Sequence, residues 1–134
     1  ILQASPLPNS VTLLGSVTPA QRDYLYSNAY ITVIPSRREA MSMVALESSL
    51  LSTSFLATDC CGLDSFINHE AGFVCKPSPE SIAANLTTLL TKPEDVVTAG
   101  SNAYRHVTSF FTWTSVIERI HTSMLKHIST QNQD

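Results

Sequence analysis

The sequence predicts an α/β protein built on a doubly wound, Rossmann-like parallel sheet of about four strands. Three observations predict it. Short apolar runs, Val11–Leu14, Tyr30–Ile34, Phe55–Thr58 and Gly72–Cys75, recur between stretches of helical pattern. The runs are continuous rather than alternating, as strands become when helices cover both faces of a sheet. The first three end on turn-forming residues: Gly15, Pro35-Ser36 and the polar stretch 59–62. Parallel strands that follow one another need right-handed helical crossovers, and repeated strand–helix alternation supplies them.

Each helix announces its start. Thr18-Pro19-Ala20-Gln21 combines an N-cap threonine, a proline at the first helical position and a glutamine three residues past the cap, predicting a helix to about Asn28. A second helix is expected from near Ser42, carrying Val44, Ala45, Leu46, Leu50 and Leu51, with Glu47 as its charged member. After the third strand, a short helix is expected over Leu63 to Asn68. Ser78-Pro79-Glu80 opens another, with Ile82, Leu86, Leu89 and Leu90 on one face. Lys92-Pro93-Glu94-Asp95 restarts a helix to about Val107. Thr112 caps the last, whose apolar set is Trp113, Val116, Ile117, Ile120, Met124 and Ile128. The strand at Val11 would lie unpaired at an edge, so an amino-terminal portion is expected outside this sequence.

At 134 residues the chain is one domain's worth, 1–134, and can bury about two thirds of its unfolded surface. It is 43 % hydrophobic and 14 % charged with net charge −3, which excludes the basic stripe that nonspecific nucleic-acid binding needs. No apolar stretch reaches the roughly 18 residues of a membrane span. Cys60, Cys61 and Cys75 show neither disulfide-scaffold nor zinc-ligand spacing, and read as buried thiols.

The chemistry concentrates in Pro35-Ser36-Arg37-Arg38-Glu39-Ala40-Met41-Ser42, which joins a strand end to a helix start. Helix N-termini bind anions through free N–H groups and the positive end of the dipole. Glu39 precedes the mouth and Glu47 lies about one and a half turns inside, on the order of 10 Å away. An anion between hydroxyl-bearing groups on both sides describes a nucleoside diphosphate sugar. A glutamate near a helix start is by itself an ordinary surface residue; the preceding strand end and the otherwise apolar helix make this pair a site. Met41 and Met43 read as packing residues, Arg37 and Arg38 as a solvated loop pair, and His106, His121 and His127 as surface or boundary positions.

The pattern Pro35-Ser36…Glu39…Glu47 resembles the Glu-x7-Glu motif of the retaining GT-B glycosyltransferases of family 4, or group 1. Further matches are Leu14-Gly15-Ser16-Val17, Leu25-Tyr26-Ser27-Asn28-Ala29, Ala57-Thr58 with Gly62, Gly72-Phe73-Val74 and Phe111-Thr112-Trp113, together covering roughly residues 11 to 125. The resemblance implies the carboxyl-terminal, donor-binding part of a two-domain GT-B enzyme that transfers a sugar with retention to a glycan or lipid-linked acceptor. It gives Glu39 contact with the donor sugar as the catalytic residue, and Glu47 contact with the ribose. It assigns the phosphates to Ala40, Met41, Ser42 and Met43, and places Gly15 and Val17 near the base. It further implies no cofactor and no metal, an acceptor held by a separate amino-terminal domain, a cytoplasmic location at the inner face of a membrane, and an inactive isolated fragment. The family's glycine-aromatic-glycine after the first glutamate is here Ala40-Met41-Ser42. That departure motivates one alternative, a non-catalytic GT-B-like binding or regulatory protein; the other is a further enzyme of the same two-domain architecture, such as a nucleotide-sugar epimerase or a phosphorylase.

Overall fold

Three parallel strands, β1 (Thr32–Ile34), β2 (Phe55–Thr58) and β3 (Phe73–Cys75), pair in the order β1-β2-β3 in a computed structural model that describes residues 10–131. Ile34 stands opposite Ala57, and Thr58 opposite Cys75, so the strands' carboxyl ends share one edge. Six helices accompany them: α1 (Pro19–Asn28), α2 (Met43–Leu50), α3 (Asp64–Ile67), α4 (Pro79–Leu90), α5 (Pro93–Phe110) and α6 (Trp113–Gln131). The α/β class and the parallel sheet are as the sequence predicts.

The central strand explains the continuous apolar pattern. All four residues of β2 are buried, and successive side chains enter opposite layers. Phe55 and Ala57 join Ile34, Ala45, Phe66, Ala103 and Val107 on one face, while Leu56 meets Cys75, Leu89 and Val96 on the other. The helices cover both faces, so the sheet is doubly wound. The flanking strands are less enclosed: Val33 and Val74 are exposed.

The expected strand over Val11–Leu14 is not formed. Residues 11–14 are irregular, and Val11, Leu13 and Leu14 face solvent. A strand needs a partner's backbone groups, and none lies beside this segment among the described residues. The described sheet therefore has three strands rather than four.

Helix starts follow the sequence closely. Thr18 and Gln21 form a reciprocal capping box at α1, and the Ser78 hydroxyl accepts from Ser81 N–H at α4. At α6, Thr112 accepts from Ser115 N–H at 3.2 Å. The faces they bury are less predictable. Within α2 the buried residues are the small Ala45, Ser48 and Ser49, whereas Val44, Leu50 and Leu51 are exposed. Close approach of α5 is the reason: a Cβ on Gly100 would overlap the Ser52 carbonyl just past α2. Both serine hydroxyls return to the Ala45 carbonyl, at 3.2 and 2.6 Å, which satisfies them inside the core.

His106 corrects a second expectation. It is 8 % exposed rather than at the surface, packed between Phe66 and Phe110 with His69 beside it. On α6 the apolar set is mostly uncovered, from Trp113 at 83 % exposed to Ile128, with Val116 half-buried. All three cysteines are free; Cys61 and Cys75 are buried and Cys60 is half-buried.

Candidate functional site

The loops leaving the three strands are tied together along the carboxyl edge of the sheet. The Thr58 hydroxyl donates to the Ser36 carbonyl, Glu39 N–H to the Cys60 carbonyl at 2.8 Å, and Asp59 N–H to the Cys75 carbonyl at 2.9 Å. An ion pair of 2.6 Å between Lys76 and Asp59 joins the second and third loops. Gly62 turns with φ +61°, and a Cβ there would overlap the Ala40 carbonyl. Only glycine allows the 59–62 turn to lie this close beneath the Ala40 backbone.

Two buried polar atoms in this loop lack partners. Glu39 accepts from the Ser36 hydroxyl through Oε1, but Oε2 is buried and unpaired. Ser42 occupies the N-cap position of α2, yet its hydroxyl makes no capping bond; the residue is 1 % exposed and Oγ has no partner. The first turn of α2 thus lacks a side-chain cap at its positive end. Unpaired buried groups of this kind cost free energy until something bonds to them. Ala40, Met41 and Met43 surround the mouth and are exposed, which corrects the reading of the two methionines as packing residues. Arg37 and Arg38 are exposed, as the sequence suggests.

Glu47 faces a different neighbour. Its Oε1 accepts from Arg22 Nη1 at 2.8 Å, and its Oε2 from the Tyr26 hydroxyl at 3.4 Å. Burial, then the charge of Glu47, pushes the Tyr26 phenol up, so it stays a proton donor at neutral pH. Arg22 is itself gripped by Asp23, through Nε at 3.1 Å and Nη2 at 2.9 Å. Gly15 (φ +66°) and Val17 lie on the irregular segment before α1. Val17 lines a groove with Leu14, Tyr24 and Leu25 that includes none of residues 39–43. The structure therefore leaves Glu39 and Ser42 each with a buried unpaired atom in the segment that opens α2, turns Glu47 toward α1, and leaves Gly15 and Val17 apart from the loop. Arg22, Tyr26, Ser36 and Gly62 carry roles that their sequence positions did not assign; the four-residue spacing of Arg22 and Tyr26 was the available signal. No group of three or more His, Cys, Asp or Glu side chains that could hold a metal ion occurs among the described residues.

Comparison with known proteins decides the family. The model of the glycosyl transferases group 1 matches residues 1–106. The chain belongs to this family. Among similar glycosyltransferases is the D-inositol 3-phosphate glycosyltransferase of Thermobispora bispora, 31 % identical over 108 residues, covering 72 % of this chain and 25 % of that protein. An uncharacterized glycosyltransferase of Methanocaldococcus jannaschii is 30 % identical over 81 % of this chain and 28 % of its own length. Among solved structures, the sucrose-phosphate synthase of Thermosynechococcus elongatus superposes with a TM-score of 0.65 at 25 % identity, over 80 % of this chain and 28 % of that one. This glycosyltransferase chain thus spans about a quarter of the length of these relatives.

Proposed function

We propose that this chain forms the nucleotide-sugar-binding part of a retaining glycosyltransferase of the GT-B type that transfers a sugar to a glycan or lipid-linked acceptor without a metal or other cofactor. The observation that carries this reading is the pair of unpartnered, buried polar atoms, Glu39 Oε2 and Ser42 Oγ, at an uncapped helix mouth on the carboxyl edge of a parallel sheet. That edge is where open α/β sheets receive their ligands. The α2 amides and the Ser42 hydroxyl would donate to the diphosphate, while Glu39 Oε2 would accept from a hydroxyl of the donor sugar. Gly62 supports the Ala40 backbone from beneath, and Glu47 would accept from the ribose.

In the reaction, the bond between the anomeric carbon and the diphosphate oxygen breaks as the acceptor oxygen bonds to that carbon on the same face. The acceptor's proton passes to the departing diphosphate. Charge gathers on the leaving group, beside amides already aimed at it, so stabilisation needs no reorganisation. Fixing the sugar through Glu39 lowers the entropic part of the barrier. The acceptor would be held by polypeptide outside this sequence, and the enzyme would work in the cytoplasm at the inner face of a membrane. No helix among the described residues is long and apolar enough to cross a membrane.

Calorimetry on the natural-length protein with UDP, GDP, ADP and their sugar conjugates tests the reading. At least one nucleoside diphosphate is expected to bind, and Glu47→Ala to weaken it about 10- to 100-fold, the range of a charge-assisted hydrogen bond. Glu39→Gln is expected to slow sugar transfer far more than it weakens binding of the bare diphosphate. Absence of binding by every nucleotide tried would remove the proposal.

A further inference from the structure

We propose that Arg22 is the positioning residue for the Glu47 carboxylate, holding it so that the oxygen lone pairs left free receive the two ribose hydroxyls; this rests on the ribose-binding reading of Glu47 given above. Glu47 is the one charged residue of α2, and its side chain is 29 % exposed. A partly exposed glutamate samples several rotamers, and ordering it on ligand binding costs free energy. Here the ordering is done beforehand. Arg22 and Tyr26 lie four residues apart on one face of α1, and each reaches one carboxylate oxygen, at 2.8 and 3.4 Å. The guanidinium is in turn immobilised by two N–H bonds to Asp23, leaving Nη1 aimed at Glu47.

Lone-pair arithmetic then selects the ligand. An ionised carboxylate offers about four acceptor directions. Arg22 and Tyr26 occupy one on each oxygen, so one on each oxygen remains. Two adjacent acceptors suit two adjacent donors, which is the chemistry of a vicinal diol. A ribose with both hydroxyls fills both, and a 2′-deoxyribose fills one. A single half-exposed arginine–carboxylate pair contributes little to folding, so its removal leaves a folded protein. A rival arrangement, in which Arg22 covers Glu47 and the ligand must displace it, predicts the opposite sign.

The test compares UDP, GDP and ADP with their 2′-deoxy forms by calorimetry on the natural-length protein, using Arg22→Ala, Arg22→Lys, Glu47→Ala and the Arg22→Ala/Glu47→Ala double variant. For the ribonucleotide that binds, Arg22→Ala is expected to weaken affinity about tenfold, with Arg22→Lys recovering part of the loss as a point charge without the fork. For the 2′-deoxy form the loss is expected to shrink to about twofold, and the double variant to match Glu47→Ala alone. If Glu47→Ala weakens binding while Arg22→Ala has no effect or tightens it, the positioning role is overturned and the ribose reading stands. An equal Arg22→Ala loss for ribo and deoxy forms overturns it too. If Glu47→Ala itself changes nothing, the ribose reading fails and takes the positioning role with it.

Discussion

Phe66 is fully buried on α3, a helix of four residues, and holds that helix to the sheet. Its ring meets Phe55 edge-on at 5.6 Å, stacks on Phe111 at 5.4 Å, and meets the His106 imidazole edge-on at 4.7 Å. His106 is the unusual member of this cluster. Burial, then the neighbouring His69, depresses its basicity below the ordinary value of 6.5. The groups facing it are His69, 4.6 Å away ring to ring, and the Ser65 hydroxyl at 3.3 Å; Glu70 and Arg105 line the adjoining cavity. The unfolded chain therefore takes up a proton at a higher pH than the folded one. Stability is expected to be level above pH about 6.5, to fall as the pH drops through that value, and to level again below the folded value. Urea titrations from pH 7.5 to 5 check this, and His106→Phe is expected to flatten the profile over that range. An unchanged slope in the variant would assign the pH dependence to other groups.

Elements show where local signals suffice. At α1, Thr18 N–H donates to Gln21 Oε1 at 2.9 Å and Gln21 N–H to Thr18 Oγ1 at 3.3 Å, two orphan donors satisfied by neighbours in sequence. Thr18→Ala is expected to cost about 1 kcal/mol of stability, read as a lowered urea midpoint with unchanged slope. Because α1 carries Arg22 and Tyr26, the same variant is expected to loosen Glu47 as well. The second helix behaves otherwise. Its large apolar residues are conspicuous in sequence, but the approach of Gly100 and the Ser52 turn selects Ala45, Ser48 and Ser49 for burial. Nothing within residues 43–50 encodes which face a separate helix will take. In the same way Met41 and Met43 look like core residues and stand exposed around the α2 mouth.

At the scale of the molecule, large apolar side chains stand exposed among the described residues along α6 from Trp113 to Ile128, and on the 11–17 segment with α1. Contiguous apolar patches mark protein or membrane contact sites or ligand grooves. The relatives are much longer, and this chain spans 25 % of one and 28 % of another. The 134-residue chain alone is expected to turn over no nucleotide sugar, even where circular dichroism shows it folded. Transfer by the short chain alone would mean that the acceptor site lies within it.

The amino-acid order by itself determined the helix starts and three of the four expected strands. Capping residues, proline at helix starts and unbroken apolar runs act within a few residues, so they can be read in one dimension, and the Pro35-to-Glu47 run could be placed at a strand end before a helix. Tertiary packing decided the rest. It denied a partner to Val11–Leu14, enclosed His106 among three phenylalanines, slid the Gly62 turn under Ala40, and swung Glu47 toward Arg22, 25 positions back along the chain. Those outcomes depend on which surfaces meet and how closely, and distance in space is not written in distance along the chain.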